Sequence, residues 1–102
     1  MNPMISKNQA EVAKLCREFH VQRLDIFGSA AGVTFELERS DLDFLVEFET
    51  LPPDAYATSF FGFKEALEQL FGRTVDLVVA SAIRNPYFRQ SVEHDKILLY
   101  AA

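Results

Sequence analysis

The stretch Arg39-Ser40-Asp41-Leu42-Asp43-Phe44-Leu45-Val46-Glu47-Phe48 decides how the chain is read. It has the apolar content of a strand, yet two aspartates alternate with apolar residues at its start. Residues two apart on a strand face the same way. Asp41 and Asp43 therefore share one face, and Leu42, Phe44, Val46 and Phe48 share the other. An edge strand with a polar outer face would produce this pattern as readily as a functional site. The flanking sequence has to separate the two readings.

Upstream, Arg23 to Phe27 reads as a strand with Leu24 and Ile26 facing one way. Gly28-Ser29-Ala30-Ala31-Gly32 follows it directly. Small residues at a strand end let a ligand approach the backbone, and Ser29 adds a hydroxyl donor. A helix starting here would offer its free N–H groups to an anion. The spacing is neither the P-loop nor the dinucleotide fingerprint. The linker 33–40 carries mixed residues and leads into the aspartate strand. Before all this, Ser6 and Gln9 have capping-box spacing. Val12, Leu15, Cys16 and Phe19 repeat at helical spacing, which predicts a helix over about 7–19.

Downstream, Leu51-Pro52-Pro53 ends the aspartate strand and Asp54 reads as a helix N-cap. Phe60, Phe63, Leu67, Leu70 and Phe71 form the apolar stripe of a second helix, with Lys64 and Glu68 four apart on its surface and Gly72 as its terminator. The aromatics Tyr56, Phe60, Phe61 and Phe63 exceed what one stripe requires. They are most simply core, with a smaller share left for a partner surface. A third strand spans Thr74 to Val79 and carries Asp76 among apolar residues. A carboxylate there is costly if buried alone, so it is exposed, paired, or turned toward Asp41 and Asp43. Asn85-Pro86 has the signature of an N-cap followed by proline at the first helical position. Arg84 and Arg89 add charge around Tyr87, Phe88 and Val92, and Ile97 to Tyr100 forms a short last strand. The order is α-β-turn-β-α-β-α-β.

Length and composition narrow the classes. A chain of 102 residues fits a single domain over 1–102 with a modest core. Its 49% apolar and 25% charged residues are ordinary for a globular protein. A formal net charge of -5 argues against direct wrapping of nucleic acid and suits a site that gathers divalent cations or docks a basic partner. The single cysteine, Cys16, reads as buried packing rather than a nucleophile, and excludes an internal disulfide framework. His20 and His94 are isolated, with no zinc pattern. No signal peptide or membrane-length apolar run is present, so a cytoplasmic location is expected.

Three carboxylates gathered on one sheet repel one another unless protons or cations intervene. Oxygen-only ligands suit hard ions such as magnesium or manganese. Two such ions can hold the attacking and leaving oxygens of a phosphoryl group. With a glycine-serine turn beside them, the carboxylates point to phosphoryl or nucleotidyl transfer, without fixing nucleotide or acceptor.

Gly28-Ser29, Asp41 and Asp43, and the later strand residue Asp76 together resemble the polymerase-beta-type nucleotidyltransferase superfamily. The nearest likeness is to its minimal (MNT-domain) members, often encoded beside a HEPN-domain partner. The likeness runs from the first helix through Asn85-Pro86-Tyr87-Phe88. It implies a small mixed sheet flanked by helices, of the α/β (α+β) polymerase-beta-like kind. By that resemblance, Gly28 and Ser29 hold the β- and γ-phosphates of ATP, and Asp41 and Asp43 coordinate two magnesium ions, with manganese as a substitute. Asp76 completes the ion that activates the acceptor hydroxyl. Ser40 positions the start of the aspartate strand, and Arg39 is placed near phosphate or on the surface.

The chain departs from the pattern in one respect. Many relatives carry an arginine shortly after Gly-Ser, where this chain has Ala30, Ala31, Gly32 and Val33. That removes a bidentate phosphate contact for which Arg39 is a candidate substitute. No acceptor domain is evident, so the resemblance implies that a partner protein supplies the acceptor. The expected activity is transfer of AMP to a tyrosine of a HEPN ribonuclease toxin, making this chain its antitoxin. Neutralisation by binding alone and transfer to a small molecule are the alternatives, and self-association is left open.

Overall fold

Leu42, Phe44, Val46 and Phe48 are all buried, and the strand that carries them is central, not an edge. The computed structural model describes residues 3–28 and 41–102. Short helix α1 (Pro3–Lys7) is followed by α2 (Gln9–Glu18) and strand β1 (Val21–Phe27). Strand β2 (Leu42–Phe48), helix α3 (Pro53–Phe71) and strand β3 (Val75–Val79) form a crossover unit. A 3-10 turn (Ala80–Ala82), helix α4 (Pro86–Asp95) and strand β4 (Ile97–Ala101) complete the chain. The four-stranded sheet runs β3-β2-β1-β4. β1 is antiparallel to β2 and β4, whereas β2 and β3 are parallel, so the sheet is mixed as expected.

One sheet face is the main core. Leu24 and Ile26 of β1, Leu42, Phe44 and Val46 of β2, and Val75 and Leu77 of β3 pack there against Val12 and Cys16 of α2 and Phe63 and Leu67 of α3. Each such side chain contributes about 1.5–3 kcal/mol on burial. Rings fill the space between sheet and α3: Phe44 stacks on Phe71 at 6.1 Å, and Phe48 meets Tyr56 at 5.3 Å and Phe63 at 6.1 Å. Most of the surplus aromatics are thus core, while Phe61 is 67% exposed. On the opposite face, Phe27, Leu45 and Val92 form a smaller cluster that seats α4.

Several local expectations hold. Gly72 adopts the left-handed conformation (φ 65) at the end of α3, and its N–H donates to the Glu68 carbonyl at 2.8 Å. Asn85 caps α4, its side-chain oxygen accepting from the N–H groups of Tyr87 and Phe88 at 2.9 and 3.2 Å. Cys16 is buried, and its thiol is pushed up to about 12 by that burial, which leaves it protonated and unreactive at neutral pH. Among the described residues, no helix is long and apolar enough to cross a membrane.

Other expectations need correction. Ser6 does not cap the first long helix. It lies inside α1, because Ile5 is drawn fully into the core and carries the chain into a helical turn early. The junction residue is Asn8, whose side-chain amide donates to the Met4 carbonyl at 2.8 Å instead of capping α2. Asp54 does not cap α3 either. Pro53 occupies the first turn with Pro52 before it, since a proline φ is already helical and needs no N–H partner there. Asp54 instead places its charge in that first turn, where the helix dipole favours it. Of the apolar positions of α4, Val92 is buried, while Tyr87 and Phe88 are 81% and 40% exposed.

Glu68 connects α3 to the start of β3. Its carboxylate accepts from the Val75 N–H at 3.0 Å and pairs with Lys64 at 3.5 Å. The Val75 N–H holds its pKa below the ordinary 4.5, with Lys64 adding to the effect. A depressed carboxylate contributes stability above its unfolded pKa and loses it as pH falls through the folded value. Melting curves are therefore expected to show Glu68→Gln less stable than the native chain at neutral pH. The gap should close as the pH is taken well below 4.5.

Candidate active site

The mixed topology brings three chain ends together. β1 runs opposite to β2 and β3, so its last residue, Phe27, lies beside Asp43, and Asp43 lies beside Asp76. These residues make one row across the sheet, on the face opposite the main core. Asp43 is half-buried, Asp76 is exposed, and Asp41 is exposed just before β2 begins. Adjacent strands stand about 4.8 Å apart, so the Asp43 and Asp76 carboxylates are close neighbours of like charge.

That crowding shows in the acidity of Asp43. Burial pushes its carboxyl above the ordinary 3.8, and the charges of Asp76 and then Asp41 push it further. The polar face is therefore more than a solvated edge. Its central carboxylate lies between two others inside a partly desolvated row.

Gly28 closes the row on the β1 side. Its φ is +71, a conformation that L side chains rarely adopt, and a Cβ placed there would lie 2.5 Å from Asp43 Oδ2. The backbone of the turn thus packs directly on the acidic oxygen. Any larger residue would have to displace one or the other. Ser29, Arg39 and Ser40 lie outside the described residues, as do Ala30, Ala31, Gly32 and Val33.

The donor chemistry fits a hard divalent cation: oxygen donors, an excess of negative charge, and a carboxyl whose ionised form lacks a counter-charge. The geometry is not a closed cage. Among the described residues, no three His, Cys, Asp or Glu side chains stand close enough to hold a metal ion as a ready-made set. Asp43 and Asp76 are brought together by register, and Asp41 is near enough for its charge to be felt.

Two charged residues on this face escaped sequence reasoning. Asp25 is 1% exposed, with Leu45 and Leu98 as its strand neighbours. Arg23 covers it, donating from Nε and Nη2 to its two oxygens at 3.1 and 3.2 Å. Its charge is answered within its own strand, which makes it a structural ion pair and not a further member of the acidic row. Glu47 continues the alternation of Asp43 and Leu45, and its carboxylate accepts from the Ser81 N–H at 3.3 Å. The i, i+2, i+4 spacing from Asp43 was the available signal for Glu47. No comparable signal marked Asp25 as buried.

Comparison with known proteins bears on the family and the fold. Residues 10–99 match the nucleotidyltransferase domain family. A candidate protein adenylyltransferase of Methanocaldococcus jannaschii is 41% identical over 83 residues, 81% of each chain. The solved structure of a candidate minimal nucleotidyltransferase has a TM-score of 0.76 at 32% identity, covering 95% of each chain. The fold is also shared with a complex of tri-AMPylated Shewanella oneidensis HEPN toxin and MNT antitoxin. There the TM-score is 0.64 at 22% identity, with 95% of this chain and 72% of that one covered.

Two outcomes test the row. Asp43 has a raised folded pKa, so its ionised form opposes folding at neutral pH and the penalty fades as pH falls toward 3.8. In metal-free buffer, Asp43→Asn is expected to melt higher than the native chain at pH 7, with the advantage shrinking in acid. Gly28→Ala should lose about 1–2 kcal/mol from its left-handed backbone alone. It should also weaken magnesium binding by displacing Asp43. Thermal melts with and without magnesium measure both effects.

Proposed function

The chain belongs to the nucleotidyltransferase domain family, and from that premise we propose that it transfers AMP from ATP to a tyrosine hydroxyl of a HEPN-domain ribonuclease, acting as its antitoxin. The observation that carries this reading is the position of Asp43, packed against the Gly28 backbone on one side and in register with Asp76 on the other. The likeness to a candidate protein adenylyltransferase supports the reaction class. The fold shared with an MNT antitoxin bound to an AMPylated HEPN toxin supports the partner.

In this reading the triphosphate lies on the β1 side, where Gly28 admits it close to the backbone and Ser29 donates a hydroxyl. Arg39 is a phosphate contact and Ser40 fixes the entry to β2. Asp41, Asp43 and Asp76 would hold divalent cations, two magnesium ions in the full site, and the ions would supply Lewis acidity and charge neutralisation when bound. Asp76, on the far side of Asp43 from Gly28, faces the acceptor and receives its proton. The tyrosine oxygen forms a bond to the α-phosphorus. The bond from that phosphorus to the bridging oxygen breaks, and pyrophosphate leaves with the electron pair.

A second reading, neutralisation by binding alone, is favoured by one feature. The four residues after Ser29 supply no guanidinium for the phosphates. Intact-mass measurement of a HEPN partner after incubation with this chain, ATP and magnesium separates the two. The expected result is a gain of one or more whole AMP groups. Asp41→Ala combined with Asp43→Ala should lower that gain by more than about 100-fold while partner binding persists. Binding and neutralisation without any mass gain would overturn the transferase reading in favour of the binding one.

A further inference from the structure

Beside Asp76, on the same sheet face, a cleft of about 520 Å³ opens between the end of β3 and the first turn of α4. Its apolar walls are Val78, Val79, Ile83 and Phe88, and Arg84 and Asn85 also line it. Val78 follows Asp76 by two residues, so the cleft begins roughly 7 Å along the strand from that carboxylate. The two are further linked through Phe88, whose ring meets Phe27 edge-on at 6.1 Å, while Phe27 pairs with Asp43. A volume of this size falls within the usual range for a binding pocket.

The cleft is a built feature. The 3-10 turn Ala80–Ala82, which contributes Ala82 to the lining, is clamped from both sides by charged groups. From β2, Glu47 accepts the Ser81 N–H. From α4, Arg89 Nη2 donates to the carbonyls of Ala80 and Ile83 at 3.3 and 2.8 Å. Those two charges are committed to holding backbone. Arg84 is exposed, and among the described residues it has no hydrogen-bond or ion-pair partner. In a chain of net charge -5, a guanidinium thus stands unanswered by any described residue at an apolar cleft next to the acidic row.

We propose that this cleft seats the segment of the protein acceptor beside its reactive hydroxyl, with one apolar side chain against Val78, Val79, Ile83 and Phe88 and one carboxylate on Arg84. The proposal rests on the adenylyltransferase reading, in which Asp76 is the acceptor-side carboxylate. Gly28 borders Asp43 from the β1 side, and Asp76 borders it from the β3 side, two residues before Val78 of the cleft. A nucleobase is neutral and leaves Arg84 unanswered, whereas a carboxylate completes a charge-assisted, bidentate contact. Arg84 and its cleft act as a specificity device, attracting an acidic flank and rejecting a basic one.

The test uses Arg84→Glu and Ala82→Trp, both at exposed positions, the second filling the cleft without changing charge. Two measurements are made on the full chain with a HEPN partner: calorimetric binding without ATP, and steady-state AMP transfer with each substrate varied in turn. The expected result is a rise of about tenfold or more in the partner's Kd and half-saturation for both variants, with the ATP half-saturation within about twofold of native. A partner variant whose acidic flanking residue is changed to lysine should recover binding to Arg84→Glu. Unchanged partner binding overturns the proposal, and a rise confined to the ATP half-saturation assigns the cleft to the nucleotide instead. Arg84-dependent binding with no AMP transfer would leave the cleft standing while the transferase reading falls. Transfer indifferent to both variants would do the reverse.

Discussion

Asp43 is pressed between a backbone and another acid. The Gly28 backbone leaves no room for a side chain, and the parallel register with β3 brings Asp76 alongside. Both contacts follow from strand direction. Because β1 runs against its two neighbours on the β3 side, its C-terminal end meets their N-terminal ends, and a turn, a half-buried carboxylate and an exposed one fall in line. Moving β2 by one residue would turn Asp43 toward Phe63 and Leu67, where no ionised group is tolerated. The same register that buries Leu42, Phe44 and Val46 therefore also aims the acidic row.

The two sheet faces divide the work. The face toward α2 and α3 is closed by apolar side chains and rings, and it supplies stability. Among the described residues the other face carries a small cluster under α4, beside the row of Phe27, Asp43 and Asp76 and the neighbouring cleft. Stabilising charges on this second face are each tied down locally: Asp25 by Arg23, Glu47 by Ser81, Arg89 by two carbonyls. Among the described residues, what remains unanswered on this face is Asp43 with its two acidic neighbours, and Arg84. Unanswered charge in an otherwise satisfied surface is where binding free energy is available, because a ligand there relieves an existing penalty as well as forming a new contact.

Much of this was legible in the chain itself. The end of α3 at Gly72, the start of α4 at Asn85-Pro86 and the strand at Ile97 all follow from local chemistry that tertiary packing did not override. The row was legible because alternation fixes which residues share a face. Features that depend on neighbours distant in sequence were not. Whether β2 lies at the edge or the centre depends on β1 and β3 together. Ser6 lost its role as a cap because Ile5 found a place in the core. Asp25 looks like an ordinary interruption of a strand until Arg23 folds over it. The turn beside the cleft is gripped by Glu47 and Arg89, 42 positions apart (89 minus 47).

The pairing of β4 with β1 has a consequence for the order of assembly. Ile26 pairs with Ile97, a separation of 71 positions (97 minus 26), whereas Ile26 and Phe44 are 18 apart (44 minus 26). During synthesis the β1–β2 pair and the α3 crossover can close while the last strand is still unmade. Until then one edge of β1 presents its backbone groups unpaired. Long-range closure of this kind is the slow part of folding. Asp43 and Asp76 of the acidic row stand on β2 and β3, away from the β4 edge of the sheet.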